Sequence, residues 1–547
     1  MVLLLVSVYS CNAVVIRIKP VRIVSYSKNH TSISSPSPSK ISALTVVTSS
    51  SVTSPVTMKE ILPATEKDES TSIAAHPTKA ATVMPTTAAL PAATNLPEVS
   101  SETPATKSQV TTVDEITKSA ETPKPTTVFT APIVPAKNLT DRAGFFRTSL
   151  HTRLFYWFFR SKFNPADPLV VWLQGQPNAS SMYGAFDETG PYYINPQTKS
   201  IAARQYSWSN SFNVLYLDPH PGCGFSHSDD PSEYSVSYER VAKGILKALK
   251  QFFSLYPQLM ANKLYLAAQS VGAKYAVVVA HAILQTVHRF RLNLKGVLLG
   301  GAVIDEYQLA NYDCRMLAFG LVDLKTMDEM AQPQDYMAAL IRTEAYSRAA
   351  EYWHQQVFHF FTQAGYQSPY DVRWVNTFWD SFVADYMNQA NVRKELKMGT
   401  LKFQPAAKAY ITSETLRPLQ ILIRELLTSI KVLLYHGQFD MFAPITHSIE
   451  FLNKFNWPEN LDFYSSKRRN WYIGKRLAGY WSNNQNLTVL LIRNAGHMVG
   501  ATQPESMLQM LQDFTSDKFE YSYRYKFTSS NWASSTDVII DEDGEGV

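Results

Sequence analysis

The sequence predicts an α/β fold with a mainly parallel central sheet and an inserted helical cap, preceded by a disordered Ser/Thr/Pro-rich region. Three observations carry this. Near-continuous apolar, β-prone runs follow residue 160: DPLVVWLQG, FNVLYLD, KLYLAAQ, LKGVLLGG, KVLLYHGQFD and LTVLLIRNAGH. Runs of this kind are buried on both faces of a sheet. Helical patterns separate some of them, and strand–helix alternation implies parallel strands covered on both sides. Residues from about Asp305 to about Tyr410 then break the rhythm. They are rich in aromatics and helix formers, as in AAEYWHQQVFHFFTQ, and read as a helical insertion (305–410) that returns to the sheet near Ile421. In an open α/β sheet the chemistry lies beyond the carboxyl ends of the strands. An insertion leaving from that end would form a cap over the site.

The elements follow in order. MVLLLVSVYSCNA (1–13) has a short apolar core and a small-residue end at Ala13, so it resembles a signal peptide without the basic start. Residues 14–137 are dominated from about Ser27 by Thr, Ser, Pro and Ala. Such a segment cannot bury enough apolar surface to offset its ordering entropy. It reads equally as an O-glycosylated, mucin-like stalk or a plain flexible linker. Residues 138–304 and 411–518 form the sheet-bearing domain, and 519–547 an acidic, frayed tail. After Ser237, Val241, Ile245, Leu249 and Phe252 recur at helical spacing, with Lys243, Lys247 and Lys250 elsewhere around the helix. GAKYAVVVAHAILQTV, after Ser270, is a more buried helix.

Net charge is +5, and no basic run interleaves with aromatics to suggest nucleic acid. No apolar stretch is long enough to span a membrane. Sequons stand at Asn29, Asn138, Asn178 and Asn486 and would matter in a secreted or lysosomal protein. Cys11 would leave with a signal; Cys223 and Cys314 could pair or stay free. No metal-ligand pattern or cofactor motif stands out.

Chemistry-bearing residues sit at strand ends. Ser270 closes one strand and opens a helix, where a sharp turn exposes a nucleophile and the helix start favours developing negative charge. That turn needs small residues two before and two after the serine, and Ala268 and Gly272 supply them. Asp440 ends KVLLYHGQFD and His497 ends LTVLLIRNAGH. Singly these read as a cap, a turn residue and a buried histidine. Together, the order Ser, Asp, His is that of the α/β-hydrolase fold.

Further segments make the chain resemble the serine carboxypeptidase family over about residues 140–518. DPLVVWLQG followed by P-x-x-S-S resembles the family's W-L-N/Q-G-G-P-G loop. YSWSNSFNVLYLD, PGCGFSHSDD, NQANVRKELKMG, HGQFD and AGHMV resemble further family segments in the right order. Gln174 together with GQFD is similar to the vitellogenic-like branch. The resemblance implies a Ser270 nucleophile, a His497 base and acid, and an Asp440 that orients His497. It implies oxyanion donors at the backbone N–H groups of Val271 and Gln176. It also implies a site for the substrate carboxylate at Gln174, Gly175, Glu188 and Gln269, and a pocket position at Met498. Peptides would be the substrates, and no cofactor is implied. Oligomeric state is not legible.

The sequence also departs from the family. G-G-P-G is G-Q-P-N here, so Gln176 adds a side chain at an oxyanion donor, and Asn178 creates a sequon beside the site. Losing one such donor costs on the order of 100- to 1000-fold in kcat. The family's paired glutamate is Gln269, an amide that donates at any pH, which predicts activity that persists toward neutral pH. Cys223 stands where threonine is usual and reads as a small buried residue rather than a second nucleophile. The competing readings are a weakened enzyme, a pseudo-peptidase that binds without cleaving, and an acyltransferase on the same fold.

Overall fold

The computed structural model describes residues 142–519, apart from 176–178, 235–236, 287–290, 305–311, 376–380, 406–415, 455–462 and 464. The candidate signal, the Ser/Thr/Pro/Ala-rich region, the tail beyond residue 519, Gln176 and the sequons at Asn29, Asn138 and Asn178 lie outside the described residues.

The described residues open with β1 (Ala143–Arg147), β2 (Thr152–Phe159) and β3 (Leu169–Leu173), then a small hairpin of β4 (Tyr192–Ile194) and β5 (Ile201–Ala203). Next come β6 (Asn213–Leu217), β7 (His227–Ser228), α1 (Tyr238–Leu255), β8 (Leu264–Gln269), α2 (Gly272–Gln285) and β9 (Leu294–Gly300). A helical stretch follows: α3 (Asp313–Ala318), α4 (Leu324–Arg342), α5 (Tyr346–Gln363), α6 (Val383–Met387), α7 (Ala390–Glu395) and α8 (Gln420–Leu427). The last described elements are β10 (Lys431–Gly437), α9 (Ile445–Lys454), β11 (Arg469–Ile473), β12 (Arg476–Asn484), β13 (Leu487–Ile492), α10 (Val499–Thr502) and α11 (Pro504–Thr515).

Among the described residues the main sheet runs β1-β2-β6-β3-β8-β9-β10-β13-β12-β11, with β7 beside β2. The central strands β6, β3, β8, β9, β10 and β13 are parallel, and they are the apolar runs predicted from sequence. The flanks β1, β2, β11 and β12 are antiparallel and were not predicted. In β12 half-buried and buried residues mix, so it carries no continuous apolar run.

Alternate residues of the central strands feed two cores, because side chains on a strand point to opposite faces in turn. Val171, Leu215, Leu266, Leu299 and Leu434 join the cluster under α1, α2 and α8. Trp172, Tyr216, Tyr265, Leu298 and Tyr435 join the cluster that includes Met507, Met510 and Phe514 of α11. Helix α1 starts where the Ser237 hydroxyl accepts the Arg240 N–H, a cap worth about 1 kcal/mol. Its apolar face is buried, and Lys243, Lys247 and Lys250 are exposed. Helices α3, α4 and α5 build a third cluster around Trp353 and Phe361, which reaches Met441, Phe442 and Ala443 beyond β10.

The ladder levels the strand ends. Gln269 pairs with Gly300, Gly300 with Tyr435, and Gly437 with Ile492. The residues that follow β8, β9, β10 and β13 therefore emerge side by side at one edge of the sheet.

Candidate active site

Ser270 follows β8 with φ +57°, a left-handed conformation that costs a non-glycine residue roughly 1–2 kcal/mol. The turn is fixed from both sides. The Ser270 N–H donates to the Gly300 carbonyl at 2.8 Å. Gly175, in the loop after β3, lies directly on the turn: a Cβ there would fall 1.5 Å from the Gln269 carbonyl oxygen and 2.4 Å from the Gly272 nitrogen. Ala268 is fully buried in the ladder opposite Leu173, so a methyl fits where the signature has glycine. Val271 caps α2, at the helix start where N–H groups have no intrahelical acceptor.

His497 Nδ1–H donates to Asp440 Oδ2 at 2.8 Å, with both side chains buried. The other Asp440 oxygen accepts the Ala443 N–H at 3.0 Å. With Nδ1 as the donor, Nε2 is the ring nitrogen that points away from Asp440. It is buried and has no hydrogen-bond partner among the described residues. Gly301, at φ +47°, lets the pair sit close: a Cβ there would lie 2.7 Å from His497 Nδ1. The imidazole is stacked on the Tyr370 ring (centroids 5.1 Å apart, planes at 14°) and meets the edge of Phe442.

On the other side runs a chain of amides whose direction is set by chemistry. The Trp172 indole can only donate. It donates to Gln174 Oε1 at 2.7 Å, so the Gln174 amide nitrogen must face onward. That nitrogen donates to Gln269 Oε1 at 3.1 Å. Gln269 then spends its own N–H groups on Glu188 Oε2 (3.3 Å) and on the His497 carbonyl oxygen (2.9 Å). Gln269 thus joins the carboxyl group of Glu188 to the main chain of His497, and one Gln174 N–H has no partner among the described residues.

Glu188 is 1% exposed and ends a single π turn, Gly184–Glu188, a geometry frequent at functional sites. Burial, and then the neighbouring Asp187, push its carboxyl up to about 8, against the opposing pull of the Gly500 N–H, Arg204 and Gln269. Both effects favour its neutral form. Met498 follows His497 half-buried and precedes α10. Gln176 lies outside the described residues, so among the predicted site positions Ser270, Val271, Gln174, Gly175, Glu188, Gln269, Asp440, His497 and Met498 are the placed ones.

A family model described as serine carboxypeptidase matches residues 132–517. The chain belongs to the serine carboxypeptidase family. The venom serine carboxypeptidase of Apis mellifera is 32% identical over 400 residues, covering 70% of this chain and 85% of that protein. The vitellogenic carboxypeptidase of Aedes aegypti is 30% identical, covering 67% of this chain and 80% of its own length. Among solved structures, a prohormone-processing carboxypeptidase from Saccharomyces cerevisiae superposes with a TM-score of 0.62 at 20% identity, over 71% of this chain and 92% of that one. That likeness shows the α/β-hydrolase fold.

Within this carboxypeptidase-family chain the sequence reading missed several supports. Asp218 is buried and accepts from the Ser180 hydroxyl (2.7 Å), the Ser181 N–H (2.8 Å) and the Ser226 hydroxyl (2.7 Å). It thereby anchors the loop after β3 at its far end, although burial still pushes its carboxyl up to about 7. Tyr370 and Phe442 come from segments with no strand or helix pattern to flag them. Cys223 is a free, buried thiol, so it does not pair with Cys314. Its sulfur lies 3.6 Å from both His220 ring nitrogens. Burial and Asp218 push the thiol well above its usual range, which keeps it from being a thiolate nucleophile. No helix among the described residues is long and apolar enough to cross a membrane.

Proposed function

We propose that this protein is a serine-type carboxypeptidase that releases C-terminal residues from peptides through an acyl-enzyme. The observation that carries the reading is the Gln269 bridge between the His497 main chain and the buried, neutral Glu188. It sets a candidate base and a candidate carboxylate site in fixed relation.

In this reading Ser270 Oγ attacks the last peptide carbonyl as its proton passes to His497 Nε2. Asp440 holds the Nδ1 tautomer and stabilises the imidazolium. The C–N bond breaks as Nε2 returns the proton to the leaving amine. Water, deprotonated by the same nitrogen, then hydrolyses the Ser270 ester. The oxyanion would rest on the N–H groups of Val271 and Gln176. The substrate carboxylate would be met by the Glu188 O–H, the remaining N–H of Gln174 and the backbone at Gly175, with Gln269 as the brace and Met498 lining the pocket.

The pH dependence follows from Glu188. Its carboxyl is neutral below about 8 and anionic above. A neutral acid donates to a carboxylate; an anion repels it. Activity therefore persists through pH 7 and falls as the pH rises through about 8. The family pair of two acids would instead lose its shared proton on the acid side.

We assign 138–304 and 411–518 to the hydrolase domain and 305–410 to the cap, with the separate cluster of α3–α5 as support. A secreted or lysosomal location rests on the apolar start of the chain and the sequons.

The test is labelling with a fluorophosphonate, followed by trimming of matched peptides with free and amidated C-termini. The expected result is a covalent adduct at Ser270 that His497→Ala abolishes, and release of one residue from free C-termini only. A chain that binds peptide without labelling is a pseudo-peptidase. One that labels but acylates alcohols instead of trimming peptides is an acyltransferase. Either result sinks the proposal.

A further inference from the structure

We infer that the segment Pro369–Trp374, reached from the helical insertion, is a positioning strap that fixes the plane of the His497 ring and ties together the loops carrying His497 and Asp440. The inference rests on the carboxypeptidase reading for what the ring does, and on contacts alone for how the ring is held.

The strap is bonded to both loops. On the histidine loop, the His497 N–H donates to the Tyr370 carbonyl at 2.7 Å. The Arg373 guanidinium donates from Nη1 to the Asn494 carbonyl at 2.9 Å. The Asp371 carboxylate packs on Gly496, where a Cβ would lie 2.5 Å from Asp371 Oδ2. On the aspartate loop, the Met441 N–H donates to the Pro369 carbonyl and the Val372 N–H to the Phe439 carbonyl, each at 3.1 Å. The Arg373 guanidinium also sits 5.1 Å from the centre of the Phe439 ring. Asp371 and Arg373 close the strap on itself with a two-pronged ion pair, Nε to Oδ1 at 2.8 Å and Nη2 to Oδ2.

These contacts answer a need that Asp440 alone leaves open. The Cβ–Cγ tether and a single hydrogen bond at Nδ1 still let the ring rock about χ2 within the tolerance of that bond. Tyr370 lies flat against one ring face, and Phe442 stands edge-on to both rings, 5.1 Å from His497 and 5.3 Å from Tyr370. The plane is then fixed, and with it the direction in which Nε2 points. A segment that merely covered the site would need neither a parallel ring nor a paired guanidinium gripping the neighbouring carbonyl. Tyr370, Asp371 and Arg373 are positioning residues, acting through His497.

The test compares the full chain with Tyr370→Leu, Tyr370→Phe and Arg373→Met. The expected kcat falls at least about 10-fold in Tyr370→Leu with KM within about twofold, the pattern of lost alignment rather than lost binding. Tyr370→Phe, which keeps the ring, recovers most of kcat. The downfield proton resonance of the His497 Nδ1–H···Asp440 hydrogen bond broadens or disappears in Tyr370→Leu and Arg373→Met. Melting curves establish that each variant is folded, and if Tyr370→Leu gives no cooperative melt, Arg373→Met decides on the same readouts. A folded Tyr370→Leu with unchanged kcat and an unchanged resonance overturns the strap. So does a loss that Tyr370→Phe fails to recover. A wild-type chain that does not label at Ser270 overturns the carboxypeptidase reading instead, while the resonance still judges the strap.

Discussion

The two halves of the site are buried alike and built from opposite materials. On the histidine side, Asp440 is an acid with its partners at hand: the His497 ring on one oxygen and a backbone N–H on the other. On the carboxyl side, Glu188 is also an acid, but it is faced by an amide, a second carboxyl in Asp187, a backbone N–H from Gly500 and the charge of Arg204. Burial by itself penalises charge. Whether a buried acid holds a proton is decided by what faces it. In the proposed carboxypeptidase reading, the difference suits one acid to orienting a base and the other to receiving an anion.

The most damaging way to break this comparison is to make the histidine side resemble the amide side. Asp440→Asn keeps the shape but invites the wrong tautomer on His497. The expected loss in kcat is on the order of 10⁴-fold with KM little changed, read by steady-state kinetics on a peptide with a free C-terminus. The reverse exchange is smaller. Glu188→Gln removes the one titrating group of the amide chain, and the expected result is a kcat/KM profile that no longer falls through about pH 8. A fall that persists unchanged in that variant would assign the titration elsewhere. Stability moves in the same direction. Glu188 titrates higher folded than unfolded, so the fold loses stability as pH rises between its ordinary value and about 8. Melting temperatures of wild type and Glu188→Gln should diverge across that interval.

Next in size is Trp172→Phe. It removes the donor that sets the direction of the chain and leaves Gln174 Oε1 buried without its partner. That costs about 1–3 kcal/mol of stability, measured by denaturant unfolding, and raises KM more than it lowers kcat. The smallest effect belongs to Cys223→Ala. The thiol is buried, neutral and unpaired, so the expected loss is about 1 kcal/mol of stability with fluorophosphonate labelling intact. Lost labelling would show that the Cys223–His220 contact matters to the chemistry.

These two halves were not equally legible in the sequence. Ser270, Asp440 and His497 each end a run of apolar residues, and a strand buried on both faces writes itself as such a run. Gln174, Glu188 and Gln269 were found only through family resemblance, because hydrogen-bond direction leaves no periodic trace. The π turn that carries Glu188 has no sequence signature at all. Tyr370 and Phe442 were missed because their roles arise from packing between segments some seventy residues apart, in loops without periodicity. The flanking strands β11 and β12 escaped for a related reason: half-buried strands near a sheet edge mix polar and apolar residues. The expectation about Ala268 needed only a steric argument, and the close approach of the β3 loop shows where smallness is demanded more severely, at Gly175.

The left-handed turn at Ser270 has an evolutionary consequence. Glycine would occupy that conformation without the Cβ penalty, partly offset by the greater freedom it gives the unfolded chain. A lineage no longer selected for turnover would therefore drift downhill in strain by losing the serine. The serine at this turn thus carries a standing strain that glycine would not.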